Sequence, residues 1–503
     1  MTGAPGNGYT QAELDRKLLQ AANALRGPVD PADFKAYIFP LLFFRRISDT
    51  WEWERAQALE AFGGDDGLAA LPDNYRFVLP AGCRWEDALA LHENVGAGLQ
   101  TIFDRIQEAN PETLAGIFGD VQWANKEKLP EPALTNVLDV FSGLQLDPGT
   151  VSHDLLGNAY EYLLKNFADE SGKKAGEFFT PRSVVRLLCE ILDPHEDESA
   201  HDPTCGSGGM LVEMVNHVRE AKGDPRTLRL TGQEINLTTA AIARMNLFIH
   251  DIEDFKILRG DTLREPKFRT TEGALQRFDI VIANPPFSLN PWGQDTWDDD
   301  PFNRSHWGTP PAKSADMAFV EHMLTVMDED RGRLAVIMPQ GVLTRRDEKQ
   351  IRKHLLEDGL IEAIVGLPEN LFYNTDLPAC ILVCRAVPAA TGKRTDLLFV
   401  DGSRRFEKDG TRNVLAADDI ETIVAAYREG EDVGEPPART KRVPIGEIEE
   451  NDWDLNIGLY IEGVAAVGID SATAVQEYVL ARDALRAAEG RLDERLREAG
   501  LAG

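Results

Sequence analysis

Positive charge is scarce in this chain. Its 53 Lys and Arg face 84 Asp and Glu, a formal charge of −31 over 503 residues. A protein that grips DNA unaided usually carries a basic footprint, because phosphate contacts supply much of the affinity. Two readings follow: nucleic acid is held by a basic partner, or the substrate is something else. Acidic charge also keeps a protein soluble, so composition alone does not choose. Long apolar runs are missing too. None reaches the ~20 residues of a membrane helix, and Met1–Gly6 lacks the charged start and apolar stretch of a secretory signal. The five cysteines (Cys83, Cys189, Cys205, Cys380 and Cys384) contain no CxxC pair. They suggest neither a disulfide framework nor a metal site, and a reducing cytoplasm fits best. There is no internal repeat. What is present is a hydrophobic fraction of 43%, enough for a real core, in a length suggesting about two to four domains.

Three regions are expected. From about Gln11 to Gln145, apolar residues recur three and four apart, as in Phe34, Ile38, Leu41, Leu42 and Ile47. This predicts an all-helical domain over 11–150, with Asp30 and Pro31 as N-cap and first-turn residues of one helix. Over 151–390, short β-branched runs alternate with helical stretches. Strands are expected at 228–232, 255–258, 278–282, 334–338, 361–365 and 380–383, with helices at 237–250, 315–328 and 350–358 between them. That alternation predicts an α/β fold with a doubly wound, mainly parallel sheet. A first strand should precede Asp202, although 198–201 is a poor one. Residues 290–313 read as a loop. From 391 to 503 the strand pattern fades to one strand at 397–400, a helix at 420–427 and a charged C-terminal helix. In that helix Tyr478, Leu485 and Leu492 fall seven apart, a short coiled-coil-like seam suited to a partner or to its own domain.

The chemistry is expected at strand ends. Asp202-Pro-Thr204-Cys-Gly206-Ser207-Gly208-Gly209 is a Gly-rich turn between a strand and a helix, where a ligand can approach the backbone closely. Gly206-Ser-Gly208-Gly-Met-Leu211 lacks the third glycine of a dinucleotide fingerprint, which weakens a dehydrogenase reading. Glu234 ends the next strand, where a carboxylate can accept from both hydroxyls of a ribose. Asp261 ends the third and could accept from an adenine amine.

The fourth strand runs into Asn284-Pro285-Pro286-Phe287. An aromatic amine is a poor nucleophile because its lone pair is delocalised. Two acceptors gripping its N–H bonds, the Asn284 side-chain oxygen and the Pro285 carbonyl, can draw the nitrogen toward a tetrahedral shape. The two prolines fix the backbone and carry no competing N–H. Phe287 can stack on the base. Preorganisation of this kind needs no strong base and no metal.

These residues carry a resemblance. Asp202–Gly209 resembles the first motif of Rossmann-like methyltransferases, and Asn284–Phe287 the signature of amino-group methyltransferases. Gly176-Glu-Phe-Phe179-Thr180-Pro-Arg182, lying before both, is similar to the cofactor motif of the gamma order of DNA adenine methyltransferases. The segments 338–342, 367–372, 41–49 and 454–457 resemble the methylation subunit of type I restriction–modification enzymes. The resemblance implies S-adenosylmethionine as cofactor and N6 of adenine in double-stranded DNA as methyl acceptor. Phe179 and Thr180 would touch the methionyl part, with Asp202, Thr204, Gly206, Ser207 and Gly208 lining the same pocket. Glu234 would hold the ribose and Asp261 the cofactor's adenine. Asn284, Pro285, Pro286 and Phe287 would hold the target adenine, with Phe372 on its other face. It also implies a DNA specificity subunit flanked by two methylation subunits, and allows a restriction subunit. That arrangement would place the phosphate contacts on the partner. The basic cluster Arg345, Arg346, Lys349, Arg352 and Lys353 is expected either as a solvated helix face or as a DNA contact. A methyltransferase acting on protein glutamine or RNA uses the same Asn-Pro-Pro-aromatic logic. A non-catalytic scaffold of a defence complex is the remaining alternative.

Overall fold

The computed structural model describes residues 8–170, 179–372, 375, 377–387, 392–410 and 412–461. The heptad-spaced residues of the C-terminal helix, and Gly176–Phe178, lie outside them. Helix α1 (Gln11–Asn23) starts at a reciprocal capping box: the Thr10 side chain accepts from the Glu13 N–H, and the Glu13 carboxylate accepts from the Thr10 N–H. Asp30 and Pro31 do not open an α-helix. Residues Pro31–Asp33 form a tight 3-10 turn, closed by the Asp33 N–H on the Asp30 carbonyl, and α2 (Phe34–Ala61) begins after it. Proline's fixed φ suits either kind of helix start, so the sequence signal was ambiguous. The helices α3 (Asp66–Ala69), α4 (Trp85–Leu89), α5 (Val95–Ala109), α6 (Glu131–Ser142) and α7 (His153–Glu170) follow.

These helices share one core with an element of the sheet region. Phe39 packs on Tyr160 of α7 at 4.4 Å between ring centroids, and the Tyr160 hydroxyl donates to the Ile242 carbonyl over 2.9 Å. Ile242 lies on α10 (Leu237–Ile249), which buries Ala241, Ile242, Met245 and Phe248 in the same cluster.

The sheet region runs α8 (Arg182–Leu192), β1 (Ser199–Asp202), α9 (Gly209–Glu220), β2 (Arg229–Glu234), α10, β3 (Phe255–Arg259), β4 (Ile280–Ala283), α11 (Asp316–Val326), β5 (Arg333–Pro339), α12 (Lys349–Glu357), β6 (Ile361–Gly366) and β7 (Ala379–Arg385). Every expected strand forms, with ends shifted by a residue or two. Past residue 390, β8 (Asp396–Asp401), the small hairpin β9 (Glu407–Asp409) and β10 (Arg412–Val414), α13 (Ala417–Glu429), β11 (Arg439–Pro444), α14 (Ile445–Glu450) and α15 (Ile457–Tyr460) complete the described chain. Strands β8 and β11 extend the same sheet, whose order is β11-β8-β6-β7-β5-β4-β1-β2-β3. Strands β3, β2, β1, β4 and β5 are parallel, and β7 runs antiparallel between β5 and β6.

The weak first strand is β1. It holds only Ser-Ala-His-Asp, yet it pairs with β2 on one side and β4 on the other. His201 is buried, stacked on Phe278 at 4.4 Å and bonded to Thr231, and burial pushes its pKa down to about 3, so it is a neutral core residue. The chain leaves β1 toward β2 on one side and leaves its neighbour β4 toward β5 on the other, so the connections run in opposite directions. A crevice opens there beyond the carboxyl ends of β1 and β4.

The expected loop over 290–313 is fastened by Arg304, which is 2% exposed. Its guanidinium pairs with Asp300 at 2.6 Å and donates to the Thr262 and Leu263 carbonyls at 3.0 and 2.7 Å. Trp297 lies under the cation at 4.4 Å. Among the described residues, no helix is long and apolar enough to cross a membrane.

Candidate active site

Beyond the ends of β1 and β4 lies a partly enclosed cavity. Seven of the expected residues line it together: Phe179, Thr180, Asp202, Thr204, Gly206, Ser207 and Asn284. Three segments far apart in sequence therefore meet at one hollow.

The Gly-rich turn is shaped from within. Asp202 is buried, and its Oδ1 accepts the Thr204 N–H over 3.0 Å. Burial raises its pKa to about 8, opposed by that hydrogen bond. Gly206 and Gly208 take φ of 52° and 78°, the left-handed region that favours glycine, and Gly208 caps α9. The Ser207 carbonyl accepts from Asn246 Nδ2, an α10 side chain that is fully buried. Its Oδ1 has no hydrogen-bond partner among the described residues, and neither does Thr204 Oγ1. Both residues line the cavity. Buried polar atoms normally find partners, so these two mark a place where a polar ligand fits.

Glu234 sits behind the turn rather than in the cavity wall. Its Oε2 accepts the Gly206 N–H at 3.1 Å and its Oε1 the Asn236 N–H at 2.8 Å. Burial raises its pKa. A carboxylate has about four acceptor sites, so capacity for a diol remains. Asp261 is also outside the cavity wall. Its Oδ1 caps the following turn by accepting the Leu263 and Arg264 N–H groups, and its Oδ2 pairs with Arg264 at 3.2 Å.

Asn284 leaves β4 half-buried, and its Nδ2 donates to Thr180 Oγ1 over 2.9 Å. With the amide nitrogen engaged, the side-chain oxygen is left as an acceptor. Pro285 is buried and Pro286 exposed. Phe287 meets Phe372 edge to face at 6.2 Å between centroids and 66° between planes. The two rings form one apolar wall rather than two faces of an open slot.

Sequence reasoning missed what holds this loop. Ser288, directly after Phe287, has φ of 53°, and its N–H donates to Asp316 Oδ1 over 2.7 Å. Asp316 is 1% exposed, and its other oxygen pairs with Arg345 Nη1 at 2.7 Å. Arg345 also pairs with the fully buried Glu348 at 3.2 Å. An acid opening a helix directly after a loop was the available signal. This network corrects the reading of the basic cluster. Arg352 is 3% exposed and donates to the Trp453, Val342 and Arg345 carbonyls, while Lys349 pairs with Asp452 and Lys353 with Glu357. These three and Arg345 are paired within the fold, while Arg346 is exposed. Phe372 is fixed from the β9–β10 hairpin: the Phe372 carbonyl accepts from Arg412, and Asn413 donates to the Glu369 carbonyl.

The family model described as N-6 DNA Methylase matches residues 151–466, and that of the HsdM N-terminal domain matches residues 14–141. The chain is 34% identical over 475 residues to the type I restriction enzyme MjaVII methylase subunit of Methanocaldococcus jannaschii, covering 90% of this chain and 78% of that protein. It is 31% identical over 415 residues to the HindI methylase subunit of Haemophilus influenzae, covering 76% and 89%. The structure of a type I restriction-modification methyltransferase subunit from Streptococcus thermophilus superposes with a TM-score of 0.78 at 28% identity, covering 90% of this chain and 100% of that one. With the Asn-Pro-Pro-Phe loop at the switch point of the sheet and both family models matching in order, the chain belongs to the methylase subunits of type I restriction enzymes, a family of DNA methyltransferases that modify N6 of adenine.

Proposed function

We propose that this chain takes its methyl group from S-adenosylmethionine, held in the cavity between the Gly-rich turn and Asn284, and that it acts beside a DNA specificity subunit with two methylation subunits per complex. The single observation carrying the site is the hydrogen bond from Asn284 to Thr180, which joins the residue meant for the target amine to the wall of the cofactor cavity. The donor set suits the cofactor. The cavity wall carries Asp202, Glu161 and Glu213 against one cation, Arg182, and S-adenosylmethionine brings a net positive charge. When bound, the cofactor supplies an electrophilic methyl group.

The chain's own residues do the rest. The target adenine leaves the duplex, since its amine is otherwise buried in the pair. The Asn284 side-chain oxygen and the Pro285 carbonyl accept its two N–H bonds, which raises the nitrogen's nucleophilicity. Phe287, backed by Phe372, offers the base an apolar wall. Thr180 orients Asn284, and Asp316 holds the peptide that follows Phe287. The nitrogen's proton passes to solvent. Glu234 holds the ribose and Asp261 the cofactor's adenine.

The partner reading follows from charge. At −31, with four of the five cations of the 345–353 cluster paired internally, phosphate contacts fall to another subunit. The test measures N6-methyladenine in the DNA of cells expressing this chain with a specificity subunit, against Asn284→Ala. Methylation at a defined site, lost in the variant while the variant still binds cofactor, supports the reading. Unchanged methylation in the variant sinks the assignment of Asn284.

A further inference from the structure

The cavity has a wall that the nucleoside end of a cofactor does not use. Helices α7, α8 and α9 contribute Glu161, Arg182 and Glu213 to it, whereas Glu234 and Asp261, the residues suited to ribose and adenine, lie outside. Three carboxylates line the cavity, and they differ in how they are occupied. Asp202 is fastened into the Gly-rich turn by the Thr204 N–H. Glu213 accepts from Asn216 at 3.5 Å and is half-buried. Glu161 is 8% exposed, and its Oε2 has no aligned hydrogen-bond donor among the described residues. Arg182 Nε stands 2.6 Å from that oxygen as an ion pair, and His250 Nε2 stands 3.6 Å from the other.

His250 gives Glu161 no charge. It is buried, and its pKa is pushed down to about 3 by burial and by Arg182. Burial lifts the Glu161 carboxyl to about 7, with Arg182 opposing and Glu213 reinforcing the rise. A buried carboxylate whose only charged partner is one arginine keeps acceptor capacity to spare and remains costly to bury. It becomes favourable if a cation with several N–H donors arrives. Nearby, Asn246 Oδ1, fully buried and without a hydrogen-bond partner among the described residues, independently marks the same cavity as polar-ligand space.

We propose that Glu161 receives the α-ammonium of the methionyl end of S-adenosylmethionine, leaving Arg182 for the α-carboxylate. This rests on the cofactor reading above and adds a residue from the helical layer to the cofactor site. It makes α7, which packs against α1 and α2, a functional wall as well as a structural one.

The test titrates the full-length chain with two ligands, S-adenosylhomocysteine, which carries the amino-acid end, and 5′-methylthioadenosine, which lacks it. In Glu161→Gln, the affinity for S-adenosylhomocysteine should fall by about tenfold or more, the loss expected for one charge-assisted hydrogen bond. The affinity for methylthioadenosine should stay unchanged, which also reports that the variant is folded. Equal loss for both ligands, or no loss for either, overturns the assignment of Glu161. If the wild-type chain binds neither ligand, the cofactor reading itself fails, and the Glu161 proposal with it.

Discussion

Asn284 Nδ2 donates to Thr180 Oγ1 over 2.9 Å, although 104 residues separate the two. The bond links the end of β4 to the segment before α8, so one hydroxyl sets the amide of the residue proposed to grip the target amine. Thr180→Val keeps the shape and removes the acceptor. Single-turnover methylation should slow about tenfold, corresponding to loss of one oriented hydrogen bond, and Thr180→Ser should restore most of the rate. Equal rates in wild type and Thr180→Val would remove Thr180 from this role.

The Phe287–Phe372 wall should act on the base rather than on the cofactor. Stacking of a base on an aromatic ring contributes about 1–3 kcal/mol. Phe372→Ala should therefore raise the KM for DNA by about tenfold while leaving the affinity for S-adenosylhomocysteine intact. A change in cofactor affinity of the same size would place Phe372 elsewhere.

Asp316 carries the strained residue after Phe287. Non-glycine residues at positive φ persist only when their surroundings hold them, and the Ser288 N–H has Asp316 as its acceptor. Asp316→Ala should lower kcat by at least about tenfold, since a misplaced reacting group costs rate steeply. Asp316→Asn keeps an acceptor and should retain part of the activity. Because Arg345 loses its Asp316 ion pair in both variants and keeps only Glu348, thermal unfolding will show how much of the effect is lost stability.

Glu321 gives a pH test of the fold. It is fully buried, one oxygen accepts from Trp297 Nε1 at 3.0 Å, and the other has no hydrogen-bond partner among the described residues. Burial pushes its pKa up to about 9 from 4.5, against the opposing Trp297 bond and Arg304. The folded state therefore keeps a proton that the unfolded chain releases. Stability from this group is full below pH 4.5 and declines as the pH rises toward about 9. Glu321→Gln mimics the protonated acid, so its melting temperature relative to wild type should rise from pH 6 to pH 8. A difference independent of pH would show that the carboxyl is already ionised.

The acidic surface predicts weak DNA binding by the chain alone and strong binding with its specificity subunit. A salt titration of both should give a steep slope for the complex and little binding for the isolated chain. Tight, salt-sensitive binding by the chain alone would overturn the division of labour.

Local sequence determined what short-range physics controls. The strand–helix alternation, the Gly-rich turn that needs left-handed backbone at Gly206 and Gly208, and the Asn284–Phe287 loop were all legible, because each depends on residues within a few positions of one another. So was the order of the motifs at strand ends. Residues whose partners lie far along the chain were not legible. Strand β1 is poor by propensity and exists because β2 and β4 pair with it on both sides. Strand β11 reads Arg-Thr-Lys-Arg-Val-Pro and forms on β8 at the sheet's edge, where its outward side chains meet water. The basic run 345–353 looks like a solvated face until Arg352 meets the carbonyls of Val342 and Trp453. Asp316 and Glu161 carry no local mark. Only tertiary structure brings Asp316 beneath Ser288 and Glu161 into the cavity wall, because a buried carboxylate's role is set by the groups that the fold packs around it.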